Sequence, residues 1–268
     1  MDVQFHGWIG SGIVAENNRR NQTFPPHVMA HSGAEGRILG FPGRDRGLSR
    51  LCMAMKKTIL CFGDSNTWGY IPGSDGERYA PEVRWPGVMA AALGGGFRVV
   101  EEAQNGRMTA WDDPCDPFIN KCGATHLPVV LESQKPIDLV ILMLGTNDLK
   151  NHMGHNAIAI ADGMGALVDI VLASDAGPAK AAPRVLVVAP VPLAAEGKCP
   201  FGRLFDHAVP LSRELAAAYG EVAADRGVAF LDAGGHATCP VTDCIHIDDT
   251  GHAAIGRAMA EAVRALIG

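Results

Sequence analysis

Nowhere in the 268 residues is there an apolar run of the roughly 18 residues that a bilayer span requires, so no membrane-crossing helix is expected. A basic excess is also missing. Lys and Arg number 23 against 29 Asp and Glu, a formal charge of −6, and the basic pairs are scattered. That leaves no footprint for a nucleic-acid backbone and points to small neutral or apolar substrates. The N-terminus lacks a basic start followed by an apolar stretch and a small-residue cleavage site, so the expected location is cytoplasmic. Cys-x-x-Cys is absent too, and no second His/Cys pair completes a zinc site, so neither a metal nor a cofactor is expected. The seven cysteines form an odd set in a chain long enough to bury its own core, and most are read as thiols. Cys115 with Cys122, and Cys239 with Cys244, are near enough in sequence to pair under oxidation, which is left open.

Residues 1–54 show no sustained helical or strand periodicity and carry breakers at Asn17-Asn18, Pro25-Pro26 and Gly40 to Gly43. They read as a flexible N-terminal extension, and Met53 and Met55 just before Lys56-Lys57 are compatible with an upstream start codon as its origin. Residues 55–268 read as one catalytic domain. Here apolar runs alternate with amphipathic stretches, the signature of βα units on a mostly parallel sheet. Strands are expected at Thr58 to Phe62, Phe97 to Glu101, Ile137 to Leu144, Arg184 to Ala189 and Val228 to Leu231. Their nearly continuous apolar character suits a sheet covered on both faces. Helices are expected at Val83 to Leu93, Thr125 to Ser133, Ala157 to Ala173, Leu204 to Arg226 and Gly251 to Ile267. In the last, Ala254, Ile255, Ala258, Met259, Val263 and Leu266 mark one apolar face.

Residues with chemical potential fall after these strands. Ser65 follows the first in a Gly-Asp-Ser turn, Gly106 the second, Asn147 the third, and Asp243 and His246 lie between the fifth strand and the last helix. Functional groups collect at such carboxyl ends in an open parallel sheet. A serine hydroxyl attacks a carbonyl at neutral pH only if a base takes its proton, and imidazole suits that task. His246 is the candidate base, and Asp243, three residues earlier, can orient its other ring nitrogen. The backbone N–H groups of Ser65 and Gly106 and the side-chain amide of Asn147 are candidate donors to an oxyanion.

These blocks, Gly63-Asp-Ser-Asn-Thr-Trp-Gly69, Gly106, Gly145-Thr-Asn-Asp148 and Asp243-Cys-Ile-His246, resemble those of the SGNH (GDSL-type) hydrolases, in the same order. Segments such as Arg78-Tyr-Ala-Pro-Glu-Val-Arg-Trp85 and Ala124-Thr-His-Leu-Pro128 resemble the bacterial arylesterase and acyltransferase branch, from about residue 57 onward. The resemblance implies an α/β fold, a flavodoxin-like three-layer α/β/α sandwich around a five-stranded mostly parallel sheet. It also implies a homo-oligomer that hydrolyses small short-chain acyl and aryl esters, with acyl transfer to alcohols as a further activity. Asn66 stands where the eponymous motif has leucine, and Cys244 where the branch usually has glycine.

Other readings stand beside these. Asp64 is expected to cap the helix after Ser65, and Asp148 to hold the donor loops in place by accepting backbone N–H bonds around Ser65. Asp249-Thr-Gly-His252 repeats the Asp-x-x-His spacing, but His252 falls in the last helix and outside the family block. Trp68, Tyr70, Ile71 and Trp111 suit either an acyl pocket or the core. A carbohydrate acetyl esterase is the enzymatic alternative, and a catalytically silent binding module of the same fold the non-enzymatic one.

Overall fold

The computed structural model describes residues 56–194 and 201–268, so the expected N-terminal extension lies outside the described residues. Five strands, β1 (Lys57–Gly63), β2 (Phe97–Ala103), β3 (Leu139–Met143), β4 (Arg184–Ala189) and β5 (Ala229–Asp232), form one sheet in the order β2-β1-β3-β4-β5. Every pairing is parallel. The helices are α1 (Ser65–Trp68), α2 (Trp85–Leu93), α3 (Gly123–Gln134), α4 (Ala157–Leu172), α5 (Gly202–Phe205), α6 (Ala208–Asp225) and α7 (Asp249–Ile267).

Alternation along the strands divides the core in two. Leu60, Phe62, Val140, Leu142, Val185 and Val187 face α3, α4 and α6. Ile59, Cys61, Leu139, Ile141, Leu186 and Val188 face α2 and α7, through Trp85, Met89, Ile255, Met259 and Val263. The result is the expected three-layer arrangement, with each face of the sheet buried beneath helices. No helix among the described residues is long and apolar enough to cross a membrane.

One expected helix, Leu204 to Arg226, is two. The break falls at Asp206-His207, and Pro210 occupies the first turn of α6. A proline there has no N–H to give the Asp206 carbonyl and its ring crowds that group, so the helix restarts rather than continues.

Strand order reverses between β1 and β3: the chain leaves β1 for the neighbour on one side and returns to the other. The crevice beyond their carboxyl ends is the place where such sheets take ligands. Ser65 follows β1 there, and Asn147 follows β3.

Candidate active site

Ser65 is the first residue of α1, directly after β1, and Asp64 caps that helix by accepting the Asn66 N–H at 2.9 Å. The turn therefore presents the serine hydroxyl at the mouth of the sheet. Its Oγ lies 3.0 Å from Nε2 of His246, 181 residues away in sequence. The other ring nitrogen, Nδ1, is 2.8 Å from Oδ2 of Asp243. All three side chains are buried.

Asp243 is a well-supplied acceptor. Oδ1 takes the backbone N–H of Ile245 at 3.0 Å and of His246 at 2.9 Å, and Oδ2 also takes the Gly73 N–H at 3.2 Å. Burial alone would raise this carboxyl, but the His246 hydrogen bond and the backbone donors outweigh it and hold it below its ordinary value. It is thus an ionised partner for the imidazole.

Gly106 adopts a left-handed conformation, φ +81°, and Gly145 another at +119°. A side chain at Gly145 would also run into the Tyr219 hydroxyl, which donates to the Leu144 carbonyl at 3.0 Å. Glycine is therefore required at the turn into Asn147. One amide hydrogen of Asn147 goes to the Arg107 carbonyl at 3.2 Å, tying it to the Gly106 loop. Ser65, Gly106, Asn147 and His246 line one cavity of about 210 Å³ with Tyr70, Asn105, Lys150, Phe201, Leu204, Phe205 and Ile245. A larger open depression, about 490 Å³, lies at the start of α7 and shares no residue with it. The second lacks a nucleophile beside a base, so the smaller one is the chemical site.

The remaining expected site residues are placed as follows. Asp148 is fully buried and accepts from the Thr109 N–H at 3.0 Å and from the Thr109 hydroxyl, so it ties the β3 loop to the β2 loop rather than to the backbone around Ser65. Burial pushes both Asp64 and Asp148 up to about 6, against the hydrogen bonds that each accepts. Of the four aromatic or aliphatic pocket candidates, Tyr70 lines the cavity. Trp68 lies beneath the Arg78 guanidinium, 4.8 Å from its ring centroid, Trp111 packs on His155, and Ile71 bonds Glu77 through its N–H at 3.0 Å. His252 is buried between α7 and α2, where Nδ1 accepts the Trp85 N–H at 3.3 Å, and burial pushes it down to about 4.

Several contributors carry no local signal. Asn66 reaches across the site, its Oδ1 accepting from Ile247 N–H at 3.0 Å and its Nδ2 donating to the Ile245 carbonyl at 3.3 Å. Arg107, buried over the Phe62 ring, donates to the carbonyls of Gly63 and Glu102 at 3.0 and 2.6 Å and stitches the ends of β1 and β2. Cys244 has φ +70°, the conformation that explains glycine at this point in the branch it resembles. Its Sγ is directed at the Val241 carbonyl and that of Cys239 at the Ile245 carbonyl, so both are thiols here, as are Cys115 and Cys122. Among the described residues, Asp113, Cys115 and His152 bring three ligand-type atoms within 4.8 Å of one another. Asp113 already holds Lys150 at 2.6 Å and His152 at 2.8 Å, which leaves the group its own counter-charge.

Residues 61–254 match the GDSL-like lipase/acylhydrolase family. The chain belongs to that family. It is an ester hydrolase of the serine type. A structure of an aryl esterase from M. smegmatis is 45% identical, with a TM-score of 0.74, and the match covers 79% of this chain and 100% of that one. A carbohydrate acetylesterase from Sinorhizobium meliloti is 43% identical, with a TM-score of 0.75 and coverage of 79% and 100%. A putative arylesterase from Agrobacterium tumefaciens is 42% identical, at 0.72, with the same coverage. No curated protein matches the sequence.

Proposed function

We propose that this family member hydrolyses small short-chain acyl and aryl esters through an acyl-Ser65 intermediate. The observation that carries the reading is the unbroken line from Ser65 Oγ to His246 Nε2 at 3.0 Å and from Nδ1 to Asp243 at 2.8 Å, inside a cavity that Gly106 and Asn147 also line. As Oγ bonds to the acyl carbon, Nε2 takes the hydroxyl proton and Asp243 steadies the imidazolium. The carbonyl oxygen gains its charge facing the N–H groups of Ser65 and Gly106 and the Asn147 amide. Collapse breaks the bond to the alcohol, which leaves with the proton from Nε2. Water then attacks the acyl group, yields its proton to His246, and Ser65 is released with that proton.

The cavity's volume of about 210 Å³ and its Phe201, Leu204, Phe205 and Ile245 walls support short acyl groups. The same apolar walls favour an alcohol over water as acceptor, so acyl transfer belongs to the proposal. A fluorophosphonate should add its mass to Ser65 and not to the Ser65→Ala protein, and turnover of p-nitrophenyl esters should fall from acetate to octanoate. Labelling elsewhere would overturn the reading. Self-association is proposed as well: Phe118, 92% exposed, and neighbouring Ile119 present apolar surface. The solution mass tests it.

Action on acetylated carbohydrate is the second reading, favoured by Asn105 and Lys150 in the cavity lining and by the 43% identical acetylesterase. Turnover of acetylated xylan against p-nitrophenyl acetate separates the two. Loss of esterase signal in His246→Ala excludes a silent binding module.

A further inference from the structure

Between the nucleophile turn and α2 the chain makes a short excursion that closes on the base and the acid of the site. Tyr70 and Arg78 form an isolated antiparallel bridge at its neck, and Ile71 N–H bonds the Glu77 carbonyl at 3.0 Å. From this loop Gly73 N–H reaches Oδ2 of Asp243, the oxygen that also faces His246. The Tyr70 ring lies face-on to the His246 ring, with centroids 4.2 Å apart and planes inclined by 22°. Its hydroxyl is turned into the loop, donating to the Ser74 carbonyl at 2.9 Å and accepting from Gly76 N–H at 3.2 Å. Tyr70 N–H also donates to the Ser65 carbonyl at 3.0 Å. The ring that covers the base is thereby fixed to the nucleophile turn at one end and to its own loop at the other.

We propose that Tyr70 is a positioning residue for ester hydrolysis, holding the His246 ring in the plane that joins Asp243 to Ser65. The inference rests on the roles proposed above for Ser65, Asp243 and His246. Both hydrogen bonds of the imidazole run through its nitrogens and lie near the ring plane, so they resist in-plane displacement far better than rolling of the ring about the line between them. A face-on neighbour blocks that roll, and Phe201 meets the same imidazole edge-on at 6.0 Å. When the imidazole takes the serine proton it becomes a cation over an aromatic face, a contact stronger than the neutral stack. The interaction thus grows on the way to the transition state and acts on kcat more than on KM.

The test compares Tyr70→Phe and Tyr70→Leu with the unaltered enzyme on p-nitrophenyl acetate and butyrate, after circular dichroism confirms folding. The leucine variant should lose about tenfold in kcat on both esters with KM nearly unchanged, the size of a desolvated ring–cation contact. The phenylalanine variant should recover most of that loss. Full kcat in the leucine variant, or a change carried by KM on one acyl length alone, is the behaviour of a pocket wall and overturns the inference. If the leucine variant does not fold, Tyr70→Met, which refills the space with a flexible apolar chain, is judged by the same criteria. Fluorophosphonate labelling of Ser65 in the unaltered enzyme separates the two failures: without it the site assignment itself falls, and the inference with it.

Discussion

The side-chain amide of Asn66 spans the loop that carries His246, accepting from Ile247 on one side of it and donating to the Ile245 carbonyl on the other. The residue next to the nucleophile therefore sets the height of the base. In Asn66→Leu, the side chain of the family's eponymous motif, the buried Ile247 N–H loses its partner and the Ile245 carbonyl keeps only the Cys239 thiol. We expect a loss of about 2 kcal/mol in urea unfolding, together with a lower kcat. Unchanged stability would mean that the loop repairs both bonds by itself.

The Asp243 carboxylate accepts from three backbone N–H groups and faces the His246 ring nitrogen. In Asp243→Asn an amide N–H must confront one of them. The expected fall in kcat is about 10³ to 10⁴, with His246 in the wrong tautomer or orientation, measured by steady-state kinetics on p-nitrophenyl acetate.

Asp148 ties the turn that carries Asn147 to the loop that follows Gly106, through Thr109. Asp148→Ala strands the Thr109 N–H and hydroxyl, whereas Asp148→Asn retains an oxygen for them. The alanine variant should melt lower and lose about tenfold to a hundredfold in kcat as the oxyanion donors drift, and the asparagine variant should keep more of both. Equal behaviour of the two variants would remove the tether from the account.

Burial holds the His252 imidazole at about 4, below its ordinary 6.5. Between these values the unfolded chain binds a proton that the folded one refuses, so this residue's contribution to stability is intact above about pH 6.5 and is lost as pH falls toward 4. The advantage of the unaltered protein over His252→Gln in urea unfolding should shrink by roughly 2 to 3 kcal/mol from pH 7 to pH 4.5. A constant difference across that range would place a charged imidazole in the native interface.

Local pattern carried the strands well because a doubly covered parallel strand must be apolar almost throughout, as β3 and β4 are. It carried α7 because one face of that helix packs on the sheet while Arg257, Glu261 and Arg264 do not. It ran two helices together at Asp206-His207, where the restart depends on the neighbourhood of Pro210 rather than on hydrophobic spacing. The serine, glycine, asparagine, aspartate and histidine were legible because each occupies a block with its own turn chemistry. Phe201, Leu204 and Phe205 were not, since nothing local distinguishes a cavity wall from a helix face.

By itself, then, the order of residues determined which groups stand at the carboxyl ends of the strands, and with them the α/β class and the family. Only the tertiary structure decided that Asn66 brackets His246, that Tyr70 stacks on it, that Asp148 turns to Thr109, and that His252 belongs to the α2–α7 packing. The physical reason is range. Helical and strand periods arise from neighbours a few positions apart, whereas the contacts that orient the imidazole join segments about 180 residues apart and exist only once the sheet has brought its loops to one edge.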